Sequence, residues 1–230
     1  MDGSFSRTLQ KCHAFRGGGT RGYQGPIVVL ASALSLCACN DSRQPVDPTA
    51  AVAPSASESN RQVLESSRFG FRIEYPKGWT AQRDFRGSYL ANGTWKTYAA
   101  PGSQGTPVAA LVVPGSNDIT DAEVRIGVSR APEDVQACST APSSLREGST
   151  DREHIDGADF IRFDAGDAAM SHYLDVHSYR AVHAGACYAI DLLVYGTNPQ
   201  VYDPPATPPF SKQQAFTAMR DVLRTFHFTR

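Results

Sequence analysis

The 230-residue chain is 41% apolar and 20% charged with a formal charge of −1, an ordinary globular composition. Its 22 basic and 23 acidic side chains form no Lys/Arg cluster, which argues against nucleic acid as a partner, since phosphate binding needs concentrated positive charge.

Residues 1–25 carry Arg7, Lys11, Arg16 and Arg21, and an apolar run follows from Pro26 to Ala38. A membrane-spanning helix needs about 20 apolar residues, so residues 1–38 read as a signal peptide. Leu36-Cys37-Ala38-Cys39 resembles the bacterial lipobox, with Leu three residues before and a small residue just before a modified cysteine. The resemblance implies cleavage before Cys39 and lipidation of Cys39, hence a membrane partner reached through that anchor. Two or three acyl chains anchor stably where one is marginal. An ordinary cleaved signal, or an uncleaved apolar anchor, is the alternative. Asn40 after the cysteine points, by enteric-type sorting, to a periplasm-facing position on the outer membrane. Loss of residues 1–38 removes those four cations and Asp2, leaving 18 basic and 22 acidic groups and a charge of −4. Residues 40–66 are rich in Ser, Ala and Pro without an aromatic side chain. Such composition cannot offset the entropy of ordering, so residues 39–66 read as a disordered tether and 67–230 as one domain.

The domain opens at Phe69, Phe71, Ile73 and Tyr75, which alternate with Gly70, Arg72 and Glu74 as in a half-buried strand. Pro76-Lys77-Gly78 ends it in a turn before Trp79. Asn92-Gly93, between residues 88–91 and 94–98, predicts a hairpin, because both positions tolerate positive φ. Residues 108–113, between Pro107 and Pro114, predict a buried strand, and residues 123–129 alternate again. Pro132 suits the first turn of a short helix reaching about Thr140. Asp156-Gly157 predicts a hairpin between residues 154–155 and 158–164.

The longest pairing joins residues 170–182 to 186–195 across His183-Ala184-Gly185. A three-residue loop would set Arg180 opposite Tyr188 and Val176 opposite Leu192, gathering Leu174, Val176, Tyr188, Ile190, Leu192 and Val194 on one face. Near the C-terminus, Ser211 followed by Gln214 is a capping-box pattern. Phe216, Met219, Val222, Leu223 and Phe226 make the apolar stripe of the helix it starts, and residues 226–228 suit a short last strand.

The opening Phe69-Gly70-Phe71-Arg72-Ile73-Glu74-Tyr75-Pro76-Lys77-Gly78-Trp79 resembles the start of PsbP-like domains. So does a closing amphipathic helix running into Phe226-His227-Phe228. That superfamily takes in extrinsic proteins of photosystem II, a yeast Ran-binding nuclear-import factor and bacterial lipoproteins. The resemblance implies an α+β fold, a central and mainly antiparallel sheet covered by helices, with no shared catalytic machinery; no cofactor is expected.

Five cysteines reduce to two, Cys138 and Cys187, if Cys12 and Cys37 leave with the signal and Cys39 is lipidated. In an oxidising compartment these two are expected to form a disulfide, the alternative being two separate buried thiols. His172, Asp175, His177 and His183 suggest a metal, but on one strand His172 faces away from the other three, so no metal site is expected. No G-x-S-x-G, H-E-x-x-H or phosphate loop is present, and no catalytic residue is assigned. Trp79, Tyr89, Trp95 and Tyr98 are candidates for a ligand groove, or else core aromatics. The expected role is binding an envelope protein, the cell wall or a small ligand. The rival is an envelope hydrolase with a site assembled from residues distant in sequence.

Overall fold

Three two-residue turns generate most of the architecture. Asp156-Gly157, Met170-Ser171 and Ala184-Gly185 have positive φ at both positions (45° and 78°, 49° and 69°, 47° and 72°). Such turns match the twist of paired antiparallel strands. They join β6 (Thr150–Ile155), β7 (Ala158–Ala169), β8 (His172–His183) and β9 (Ala186–Thr197) into one meander. Next to β9 come β5 (Thr120–Ser129), β4 (Thr106–Val112) and β3 (Thr80–Gln82), completing a seven-stranded antiparallel sheet in the order β3-β4-β5-β9-β8-β7-β6. A smaller sheet pairs β1 (Arg61–Ser66), β2 (Phe71–Pro76) and β10 (His227–Phe228). The helices are α1 (Pro132–Gln136) and α2 (Lys212–Leu223). These assignments come from a computed structural model that describes residues 60–85, 94–142 and 150–229.

The class is α+β with antiparallel sheets, as expected. The capping box of α2 forms in both directions: the Ser211 hydroxyl accepts from the Gln214 amide, and the Gln214 side chain accepts from the Ser211 amide. α2 buries Phe216, Met219, Val222 and Leu223 against β9, β5 and β2, in the main core. Phe226 then stacks on Phe71 with ring centroids 5.3 Å apart, which ties the C-terminus to the opening strand. No helix among the described residues is long and apolar enough to cross a membrane.

Four expectations change. The β8–β9 turn has two residues, so Arg180 faces Ala189 and Val176 faces Leu193. Burial selects no single face here, because Ala186 to Tyr195 are buried without interruption. One side of β9 sends Tyr188, Ile190, Leu192 and Val194 into the main core, and the other packs Leu193 and Tyr195 with Leu174 and Val176.

Residues 94–98 are not a strand but a series of bends and a turn, and the Asn92-Gly93 pair lies outside the described residues. Side chains take the place of a partner strand: the Thr97 amide donates to Asp191 Oδ2 at 2.8 Å, and Arg180 donates to the Thr97 carbonyl at 3.4 Å. Two glycines admit this segment to the sheet. A Cβ on Gly127 would overlap the Trp95 carbonyl oxygen, and one on Gly105 would overlap the Trp95 indole.

Order also begins earlier than the tether reading has it. β1 lies at residues 61–66, an edge strand whose largely exposed side chains hide its backbone pairing with β2 and the packing of Leu64. Finally, the alternation of β5 does not mark a solvated face. Glu123 and Arg125, 1% and 2% exposed, form a buried ion pair at 2.5 Å.

Candidate functional site

The side of the large sheet away from α2 carries a buried polar layer. Arg180 Nη1 donates to Asp191 Oδ1 at 2.6 Å, and Ser178 Oγ donates to the same oxygen at 2.7 Å. Glu123 accepts from Arg125 and, at 3.2 Å, from the Tyr195 hydroxyl, while burial pushes its carboxyl above the usual range against the pull of Arg125. Asp134, in α1, accepts from the Ser103 hydroxyl at 2.5 Å, the Gln104 amide at 2.8 Å and the Ser129 hydroxyl at 3.0 Å. Burial alone would raise its pKa, but these bonds outweigh burial and hold it low. These groups are closed off by protein, so this layer fixes the 94–105 segment and offers no entrance to a substrate.

An open concavity of about 1030 Å³ lies where the far halves of β7 and β8 run beside the start of α2. Strand register sets its polar residues. Asp164 pairs with His177 and Gly166 with Asp175, so both carboxylates and the imidazole share the α2 side of the sheet. Arg162 clamps Asp164 with two bonds of 2.9 and 2.6 Å. Lys212, at the start of α2, reaches Asp175 at 2.5 Å with its ammonium 4.0 Å from the centre of the Tyr173 ring. On the opposite side of the strands Leu174 and Val176 are buried in a small core with Leu193 and Tyr195, against which Tyr98 packs. A second concavity of about 570 Å³ shares Ala168, Tyr173 and Lys212 with the first and extends past the Met170-Ser171 turn to Pro199 and Phe210.

Two lining residues are held in unfavourable states. Tyr98 sits at φ 54°, a conformation that costs a non-glycine residue about 1 kcal/mol or more. Its hydroxyl is buried without a hydrogen-bond partner among the described residues. Burial and the fields of Asp167, Asp191 and Asp175 push its pKa up to about 12. His177 stacks on Phe216 with centroids 4.0 Å apart, its Nε2 is 3.9 Å from Asp164, and its Nδ1 is buried without a partner among the described residues. Burial brings its pKa down to about 4, so it is neutral at pH 7.

That shift has a measurable consequence. Between pH 6.5 and 4 the unfolded chain holds a proton on His177 that the folded chain does not. Stability from this group is therefore fully present above pH 6.5 and is lost as pH falls toward 4, by about 3 kcal/mol at most. In chemical denaturation across that range, His177→Gln is expected to lose less stability on acidification than the wild type. Equal pH slopes would refute the assignment.

The residues singled out by sequence disperse. Trp79 is in the main core, 8% exposed. Trp95 packs beside Cys138 and Cys187 on the other side of the sheet, its Nε1 donating to Ser103 Oγ at 2.8 Å. Tyr98 alone lines the cleft, and Tyr89 and Cys39 lie outside the described residues. No single groove joins Trp79 and Trp95. Cys138 and Cys187 are bonded, with S–S 2.06 Å. Asp175, His177 and His183 share a face, but Asp175 binds Lys212 and His183 stacks on Phe228 at 3.9 Å. Among the described residues no three His, Cys, Asp or Glu side chains are placed to hold a metal ion. Asp164, Asp167, Lys212 and Phe216 were missed. No local motif marks them, and Lys212 meets Asp175 across 37 residues of chain.

No protein-family model and no curated protein matches the chain. Several solved structures resemble it. A protein from Bacteroides thetaiotaomicron is 10% identical with a TM-score of 0.41, over 74% of this chain and 48% of that one. This chain therefore spans about half of that protein. Cyanobacterial PsbP (CyanoP) from Synechocystis is 11% identical with a TM-score of 0.39, covering 80% of this chain and 99% of its own. LpqN of Mycobacterium tuberculosis, described as involved in cell envelope biogenesis, is 10% identical with a TM-score of 0.40, covering 74% and 91%.

Proposed function

We propose that this protein is a lipid-anchored, periplasm-facing domain of the bacterial envelope that acts by binding a small ligand. The observation that carries the binding role is the open cleft of about 1030 Å³, where charged groups such as Asp175 and Lys212 stand beside the Tyr173 and Phe216 rings. Strain and an unpaired hydroxyl at Tyr98 support the same role, since such costs concentrate at ligand sites. The envelope location rests on the lipobox-like run at Cys39, and the Cys138–Cys187 bond suits an oxidising compartment. The outer membrane is favoured by Asn40.

Two experiments test the parts separately. Cys39→Ser is expected to move the protein from the membrane fraction to the soluble fraction and to abolish incorporation of labelled fatty acid. Unchanged fractionation would remove the anchor. For binding, protein purified from native envelope is extracted and analysed by mass spectrometry beside Ala168→Trp, which fills the cleft from an exposed position. The wild type is expected to retain a small molecule that the variant lacks. If both yield the same extract, the cleft is not a ligand site.

A further inference from the structure

Strand register gathers one set of loops at one end of the large sheet. His172 pairs with Thr197 and Thr120 with Gly196, so the Met170-Ser171 turn, the turn before β5 and the loop after β9 lie together. The Asn198 amide donates to the Ser171 carbonyl at 2.7 Å, and the Thr197 amide donates to the Ile119 carbonyl at 3.2 Å. The start of the domain is at this end as well. The Lys77 amide donates to the Asn60 carbonyl at 3.0 Å, a Cβ on Gly78 would touch Pro114, and one on Gly115 would touch Pro209.

Three of the five large apolar side chains that stand exposed among the described residues are here: Met170 at 83%, Val201 at 53% and Tyr202 at 40%. Exposed apolar residues scattered singly are ordinary. These three instead adjoin Pro199 and Pro208, which line the second concavity with Met170. Met170 is unfavourable in two ways. It occupies a left-handed turn position that Asn, Asp or Gly fills more easily, and it leaves its side chain in water. Charge around the patch is balanced, with Arg61 and Lys77 against Asp118 and Asp203, all exposed. Apolar contact, not charge, therefore selects what covers it.

We infer that this end of the domain rests on the lipid bilayer, with Met170, Val201 and Tyr202 in the headgroup and upper acyl region. The inference rests on the lipid anchor proposed at Cys39 and adds the surface that the domain turns to the membrane. Residues 40–59 join Cys39 to Asn60, and a coil of that length averages about 25 Å. A strand of 12 residues such as β7 is about 40 Å long, so the anchor holds the Met170 end nearer the lipid than the Asp156-Gly157 end. Tyr202 suits the interface, where a ring can meet lipid while its hydroxyl stays wet.

The test reconstitutes protein purified from the native envelope into phosphatidylcholine vesicles, with and without brominated acyl chains, and floats them. Bromine quenches an indole that reaches the acyl region. Over the signal of the buried Trp79 and Trp95, the added fluorescence of Met170→Trp should fall roughly twofold or more on brominated vesicles. Asp159→Trp, at a position 66% exposed near the opposite end of β7, should show no such loss. Tryptophan itself favours the interface, so the native residue is read as well. Peroxide oxidation of Met170 should be about fivefold slower on vesicles than in the Cys39→Ser protein in solution, while the buried Met219 should behave alike in both. Equal quenching at positions 170 and 159, or one oxidation rate for Met170 bound and free, overturns the inference while flotation keeps the anchor. Failure to float with the vesicles overturns both.

Discussion

Asp191→Ala is expected to lower the unfolding free energy by about 3–5 kcal/mol, the cost of leaving a buried charge without its partner. The two side chains are 2% and 1% exposed, and the guanidinium also lies over the Phe163 ring at 5.3 Å. Without the carboxylate, Arg180 keeps only neutral acceptors, the Tyr179 carbonyl at 3.0 Å and weaker bonds of 3.4 Å to Thr97 and Ser178. Arg180→Met should cost less, because Asp191 retains the Ser178 hydroxyl and the Thr97 amide. The double variant Arg180→Met/Asp191→Leu should recover most of the loss, since an apolar pair of similar volume removes both desolvation penalties. Urea unfolding of the four proteins gives the coupling energy. Single variants within 1 kcal/mol of wild type would mean that this pair does not stabilise the fold. Asp191→Ala should also speed hydrogen exchange at the Thr97 amide, because that amide loses its acceptor.

Replacing Cys138 and Cys187 together by Ala is expected to cost about 4 kcal/mol, from release of a loop with a sequence separation of 49. For a domain of this size the melting temperature should fall by about 10 °C. The bond fixes the end of the α1 region to the first residues of β9, where Trp95 and Ala189 close around it. Its entropic part acts on the unfolded chain, so a larger denaturant m-value should accompany the loss. Peptide mapping without reductant reads the bond directly, and finding both thiols free in protein from its native compartment would remove it.

How much of this could be read from the residues differs from element to element. α2 was legible to its cap because a capping box and an amphipathic stripe are local signals, and both act within one helix. The Asp156-Gly157 turn was legible for the same reason. Ala184-Gly185 was misread through an assumption about burial. A strand with one wet face must keep its apolar residues in register, but β9 is covered on both sides and accepts the shorter turn. Glu123 and Arg125 misled in the opposite sense, since charges alternating along a strand look solvated until a second layer covers them. The candidate groove failed because Trp79 and Trp95 belong to different faces of one sheet, which no spacing reveals. Residue Tyr98 was singled out for its aromaticity, whereas its backbone strain and unpaired hydroxyl arise from the turn that carries it.

The antiparallel α+β class was implied by the resemblance of the two ends to PsbP-like domains, while the sequence by itself determined the capped helix, two of the hairpin positions and the two cysteines left to pair. These depend on local periodicity, turn chemistry and counting, all of which act over a few residues or none. Only the tertiary structure decided which side of β9 each layer covers, that Arg180 and Asp191 meet in the dark, and that Lys212 closes over Asp175 and Tyr173 beside an acceptor-rich cleft. The physical reason is that these contacts join strands and a helix through register and packing. A one-residue shift in pairing, which the residues alone permitted, would have turned every one of those side chains to the other face.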